Sequence, residues 1–307
     1  MIEMDAGILV VDKAPGVTSF DAVALTRRTL GVRRIGHAGT LDPAATGVLP
    51  LLVGEATKLT PYLMDHDKEY VATVRFGVTT DTHDMTGRVL ATGPVTDLSR
   101  QRLEAACARF VGRVAQIPPM YSAVHHEGQR LYELARQGVE VERAPRDVVI
   151  RSIAVEELGD AIATLRIVCG KGTYIRVLAA DLGAVLGSGG ALEQLTRTRV
   201  GPFTLRRAIA WSELIEGRRD AVRAQVQPMD AALADWPAAR LHGERARQFC
   251  HGQSAALDEP LAPARLVRVY DTGQTLLGVG ETDGSGRSVR PVRMLHADRS
   301  RTSARPA

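Results

Sequence analysis

Gly36-His37-Ala38-Gly39-Thr40-Leu41-Asp42-Pro43, followed closely by Thr46-Gly47, is the stretch from which the rest of this chain is best read. It holds one carboxylate, Asp42, among residues that constrain or free the backbone. Pro43 disfavours the α region for Asp42 and pushes it toward an extended conformation. Gly36, Gly39 and Gly47 permit angles or close approaches that side-chained residues resist. A carboxylate presented this way is poorly placed to cap a helix and well placed to face a ligand. Taken alone, an ordinary Asp-Pro turn is the better explanation.

Upstream, Gly7-Ile8-Leu9-Val10-Val11 reads as a buried strand ended by Asp12-Lys13-Ala14-Pro15-Gly16. Thr18 with Asp21 three residues on resembles a capping box, opening a helix that stops near Gly31. Downstream, Tyr70, Ala72, Val74 and Phe76 alternate with Val71, Thr73 and Arg75, which predicts a strand over 69–78. Leu103, Ala106 and Phe110 share one face of a helix over 98–111, with Gly112 as its stop. After the break at Pro118-Pro119 come a short helix over 129–137, a strand over 161–169, and a helix over 174–186. Strands and helices mix without a regular βαβ repeat, so the pattern is α+β rather than doubly wound. Beyond Gln227, prolines and short strand runs (266–270, 276–279 and 289–294) predict a small all-β module of about 60 residues. The last ten residues lack periodic apolar character and read as a disordered tail.

With 307 residues, 45% hydrophobic and 24% charged, the chain can bury a full core. No apolar run approaches the roughly 18 residues a membrane helix needs, and the acidic Met1–Asp5 start does not suggest a signal peptide. Cys107, Cys169 and Cys250 are odd in number and widely spaced, which argues against a disulfide framework or a zinc ribbon and for a reducing cytoplasm. Net charge is +4. The basic excess gathers at Arg27, Arg28, Arg33 and Arg34 and again at Arg197, Arg199, Arg206 and Arg207. Such clusters suit phosphate contacts around a cleft as well as a solvated surface.

Two segments imitate other sites. Cys169-Gly170-Lys171-Gly172-Thr173 lies between strand and helix like a phosphate-binding loop. However, Gly172 rather than Ser or Thr follows the lysine, and Arg166 stands where the first glycine belongs. Asp81-Thr82-His83-Asp84 has metal-ligand residue types without a second cluster, so a solvent-facing turn over 81–87 is expected.

Three segments occur in order: Gly7 to Ser19, Gly36 to Pro43, and Lys171-Gly172-Thr173-Tyr174-Ile175-Arg176. Together they resemble the bacterial tRNA pseudouridine synthases of the type that modify the T-arm, the TruB family. Gly54-Glu55-Ala56-Thr57-Lys58, Lys68-Glu69-Tyr70 and Pro119-Met120-Tyr121-Ser122-Ala123 agree with it as well. The resemblance covers residues 7 to 210 and is carried by the ordered set rather than by any one motif.

The resemblance implies a catalytic domain over 1–232, with a mixed, largely antiparallel sheet, helices, and an RNA-clamping insertion at about 118–151. A PUA-like module would follow over 233–297 and grip the acceptor stem, leaving a tail at 298–307. It implies isomerisation of uridine 55 in the T-loop, with no cofactor and no metal, by a monomer that needs no guide RNA. An accompanying tRNA-folding activity is a further expectation. Relatives that depend on a guide RNA and partner proteins are the alternative, and an RNA-folding factor without catalysis is a different class. By resemblance Asp42 is the essential carboxylate, Arg176 its cation, and Tyr70 the aromatic that stacks on the target base. Tyr174 would wall the uridine pocket, with Leu195 an apolar contact to the ring. His37 would fill the space the target nucleotide leaves in the RNA, and Lys13 would support the site or the RNA backbone.

Overall fold

The alternating run around Tyr70 lies in the middle of a ten-stranded sheet. A computed structural model describes residues 6–122 and 124–295, so the acidic start and the expected tail lie outside the described residues. In chain order the first elements are β1 (Gly7–Lys13), α1 (Ser19–Leu30), β2 (Ile35–His37), β3 (Thr46–Val53), α2 (Thr60–Asp65) and β4 (Lys68–Phe76). A hairpin of β5 (Val78–Thr80) and β6 (Val89–Thr92) precedes α3 (Arg100–Ala108) and β7 (Gly112–Gln116). The connection over 117–145 leaves the sheet and carries β8 (His125–His126), β9 (Gln129–Arg130) and α4 (Leu131–Arg136). The chain re-enters the sheet as β10 (Arg146–Leu158) and β11 (Ile162–Cys169), then forms α5 (Ile175–Leu186) and β12 (Gly190–Val200). Next come β13 (Phe203–Thr204), β14 (Ile209–Ala210), α6 (Trp211–Glu216) and α7 (Arg219–Ala224). The C-terminal part holds β15 (Ala238–Arg240), α8 (Gly243–Cys250), β16 (Ala255–Ala256), β17 (Leu266–Tyr270), β18 (Leu276–Thr282) and β19 (Ser288–Met294).

The main sheet runs β14-β1-β3-β12-β4-β11-β10-β7, with β2 on β3 and β13 on β12. Its parallel contacts are β1 with β14 and β3 with β12; the remaining pairs are antiparallel. The architecture is therefore α+β with a mixed, largely antiparallel sheet. β1 and β3 are apolar on both sides because both faces are covered. Leu9, Val11, Leu49 and Leu51 enter one core, and Ile8, Val10, Val48 and Leu52 enter the other. The first core takes Leu178, Leu182 and Leu186 from α5, at the four-residue spacing of a helix face.

The capping box of α1 forms: Asp21 N–H donates to Thr18 Oγ1 at 3.1 Å and Thr18 N–H to Asp21 Oδ2 at 2.8 Å. Gly31 ends the helix in the left-handed region at φ 69°. The α3 helix stops earlier than its pattern predicts. From Arg109 to Val111 the N–H groups bond three residues back, so the last turn tightens out of α geometry before Gly112 opens β7. The C-terminal strands form a five-stranded sheet in the order β15-β17-β18-β19-β16. The strand pattern missed α8, an eight-residue, mostly polar helix whose one fully buried residue is Phe249.

Candidate active site

Lys13, at the end of β1, has no solvent exposure. Its ammonium donates to the carbonyls of Ala14 (2.9 Å), Val17 (2.8 Å) and Pro43 (3.1 Å). Gly16 N–H reaches the same Pro43 carbonyl at 2.9 Å. Ser19 Oγ accepts from Leu41 N–H at 2.9 Å and donates to Leu41 O at 3.2 Å. Residues 13–19 are thus stapled to 41–43. Ala45 N–H closes a turn onto Asp42 O at 3.0 Å, with Pro43 in the second position where its fixed φ fits. The Asp-Pro turn and the presented carboxylate are one structure.

Arg197 holds the other side of this loop. It is 1% exposed and donates to the carbonyls of Val48 (2.8 Å), Gly39 (3.1 Å) and Thr40 (3.4 Å). The contact requires β3 and β12 to meet closely at Gly47. A Cβ there would lie 2.2 Å from Arg197 O, and the residue sits at φ +101°. Only glycine fits.

Arg176 enters from the first turn of α5 and is 5% exposed. Its Nη2 lies 3.0 Å from Asp42 Oδ1 and 2.9 Å from Oδ2, and donates to Tyr121 O at 2.8 Å. Burial raises the Asp42 pKa above the ordinary carboxylate range; Arg176 opposes this most strongly, Asp84 adds to it, and Lys13 opposes it. Tyr70 is Cα partner to Arg197 across β4 and β12. Its phenol pKa is raised by burial, with the Arg197 charge and hydrogen bond partly offsetting that.

Asp42, Tyr70, Tyr174, Arg176 and Leu195 line one pocket of about 260 Å³. Its volume suits one planar base. Lys68 also lines it; burial lowers its pKa to about 8, and its ammonium donates to the carbonyls of Met64 and His66. His37 lies outside this pocket, on β2 opposite Leu51 of β3. Its Nδ1 is buried without a partner among the described residues, and burial lowers the ring pKa, with Arg197 and Arg130 adding to the effect. Lys13 also lies outside the pocket, behind the loop.

Three expectations need correction. Arg197 is no phosphate contact, because it is 1% exposed and its guanidinium is spent on backbone carbonyls. Lys13 supports the loop and, being fully buried, has no surface for RNA. The 81–87 turn does not simply face solvent: Leu192 N–H donates to His83 O and Met85 N–H to Leu192 O, each at 2.9 Å. This bridge carries Asp84 close enough to act on Asp42. Gln116, which is 3% exposed, belongs to no motif. It clamps Tyr174 by accepting from its N–H at 2.9 Å and donating to its carbonyl at 3.3 Å.

Comparison with known proteins is consistent along the chain. The profile for the N-terminal domain of TruB family pseudouridylate synthases matches residues 27–175. The tRNA pseudouridylate synthase B C-terminal domain matches 176–234, and the pseudouridine synthase II TruB C-terminal profile matches 237–295. The tRNA pseudouridine synthase B of Ralstonia nicotianae is 45% identical over 298 residues, covering 94% of both chains. That of Chromobacterium violaceum is 41% identical over 290 residues, again covering 94% of both. Among solved structures, a Cbf5-Nop10-Gar1 complex contains a chain that superposes with a TM-score of 0.74 at 25% identity, over 96% of this chain and 86% of that one. With this ordered agreement in sequence and fold, the chain belongs to the TruB family of pseudouridylate synthases.

Proposed function

We propose that the chain isomerises uridine 55 in the T-loop of tRNA to pseudouridine, acting as a cytoplasmic monomer without a guide RNA. The observation that carries this is the Asp42–Arg176 pair beside Tyr70 in a pocket sized for one base. The relatives at 41–45% identity, named for tRNA, support the substrate and the stand-alone form. Pseudouridine formation breaks the bond from ribose C1′ to uracil N1, turns the base over, and joins C1′ to C5. Reactant and product are isomers, so atoms balance without another reactant.

Asp42 acts as the carboxylate at C1′ or the base. Arg176 keeps it ionised and oriented, since a guanidinium stays charged and can serve both oxygens. Tyr70 stacks on the uracil and takes part in removing the proton from C5 after it is rejoined. Tyr174 and Leu195 hold the ring. The target base must leave its stack, which costs a few kcal/mol. His37, standing outside the pocket, offsets that by filling the emptied place in the RNA. The connection over 117–145, which is the expected insertion less the residues 146–151 that pair into the sheet as part of β10, closes over the RNA loop, and the PUA-like module over 233–297 grips the acceptor stem.

The test is incubation of the purified protein alone with an unmodified full-length tRNA transcript, followed by mapping of pseudouridine. Product at position 55 is expected. Product only after adding a guide RNA and partner proteins would overturn the stand-alone reading.

A further inference from the structure

Ser122 is 6% exposed and lines the pocket, yet its hydroxyl finds no hydrogen-bond partner among the described residues. Other buried side-chain atoms are also unpaired, on Arg27, His37, His83, Arg143 and Glu193, but those residues do not line the pocket. The backbone around Ser122 is well held. Its N–H donates to Met120 O at 2.9 Å, and its carbonyl accepts from Tyr132 N–H at 3.1 Å. The preceding carbonyl, of Tyr121, accepts from the Arg176 guanidinium that holds Asp42. A buried hydroxyl without a partner costs free energy, and an alanine at the same place would avoid that cost. Within a binding pocket, the missing partner is supplied by what binds.

Two features identify that partner. A serine hydroxyl both donates and accepts, which matches another hydroxyl. Ser122 also hangs, through Tyr121, on the guanidinium that orients the carboxylate. The peptide that carries it is thus tied to the guanidinium beside Asp42, which puts Ser122 on the side of the pocket that would take the ribose if Asp42 acts at C1′. Resting on the uridine-isomerase reading above, we propose that Ser122 Oγ hydrogen-bonds the 2′-hydroxyl of the extruded nucleotide. It is then a specificity-determining contact that distinguishes ribose from deoxyribose at the target position.

The experiment compares Asp42→Asn with Asp42→Asn/Ser122→Ala, a background in which the substrate stays unreacted. Dissociation constants are measured for T-arm stem-loops carrying either uridine or 2′-deoxyuridine at the target. Loss of Ser122 should weaken the uridine loop about fivefold, the size of one ordinary hydrogen bond, and leave the deoxyuridine loop unchanged. Equal weakening of both loops would place the contact on the uracil or a phosphate and overturn the proposal. No weakening of either loop would overturn it too. Because the hydroxyl has no partner among the described residues, Ser122→Ala should keep the wild-type Tm; a lowered Tm would mark a structural serine instead and count against the proposal. Wild-type turnover of the uridine loop, assayed in parallel, separates the two readings. An active wild type with any overturning pattern leaves the isomerase standing, and an inactive wild type removes both.

Discussion

At the scale of single residues, Asp42 is caught between opposed influences. Burial and Asp84 favour its neutral form, whereas Arg176 and Lys13 favour the carboxylate. If the reaction needs the carboxylate, the acid limb of the single-turnover rate should have its midpoint above the ~3.9 of a free aspartate. Removing Arg176 takes away the largest lowering influence, so Arg176→Ala should shift that limb to higher pH as well as slow the reaction. Arg176→Lys keeps a charge but loses the planar fork, and a rate loss on the order of 100-fold is expected. A pH–rate series on the three proteins checks both, and an unshifted limb in Arg176→Ala would separate the pair from the chemistry. Asp42 was legible in the sequence because Pro43 and the glycines mark a special backbone around it. Its pairing with Arg176, 134 residues away, leaves no local pattern, and only the resemblance connected them. The role of Arg197 is hidden for the same reason. Its burial follows from two strands meeting, and the sequence shows only another arginine near others.

At the scale of elements, the β3–β12 contact at Gly47 and Arg197 carries the loop that presents Asp42. Gly47→Ala would place a methyl against the Arg197 backbone at a positive φ, with no flexible side chain to yield. A destabilisation on the order of 3 kcal/mol is expected by urea unfolding, from overpacking and backbone strain together. A change below about 0.5 kcal/mol would mean that the strands can separate without harm. Elements with strong signals were read well: the alternation of β4, the capping box of α1 and the left-handed stop at Gly31. The weak signals were the ends. α3 closed early because its last turn tightened, and the 81–87 turn packed on β12 through backbone bonds that side-chain pattern does not encode.

At the scale of the whole molecule, the second core joins the two sheets. Leu59 and Leu63 share it with Leu276, Val279 and Leu295, and Tyr62 meets Trp236 edge to face at 5.2 Å. The C-terminal part therefore covers apolar surface of the main sheet. Truncation after residue 236 should expose that surface, lowering Tm by several degrees and promoting aggregation. Unchanged Tm and solubility, read by scanning calorimetry and light scattering, would make the module an independent appendage. The α+β class and the C-terminal strands could be read from the sequence; the shared core could not, because it is a contact between distant segments. No described helix is long and apolar enough to cross a membrane.

In the proposed reaction Asp42 does the chemistry while the rest of the site binds and positions. The most direct measurement is pseudouridine formation on an unmodified T-arm stem-loop by the wild type and by Asp42→Asn, with RNA affinity measured on the same samples. The wild type should form product, and Asp42→Asn should form none while still binding the stem-loop. Product from Asp42→Asn at a rate near that of the wild type would contradict the account.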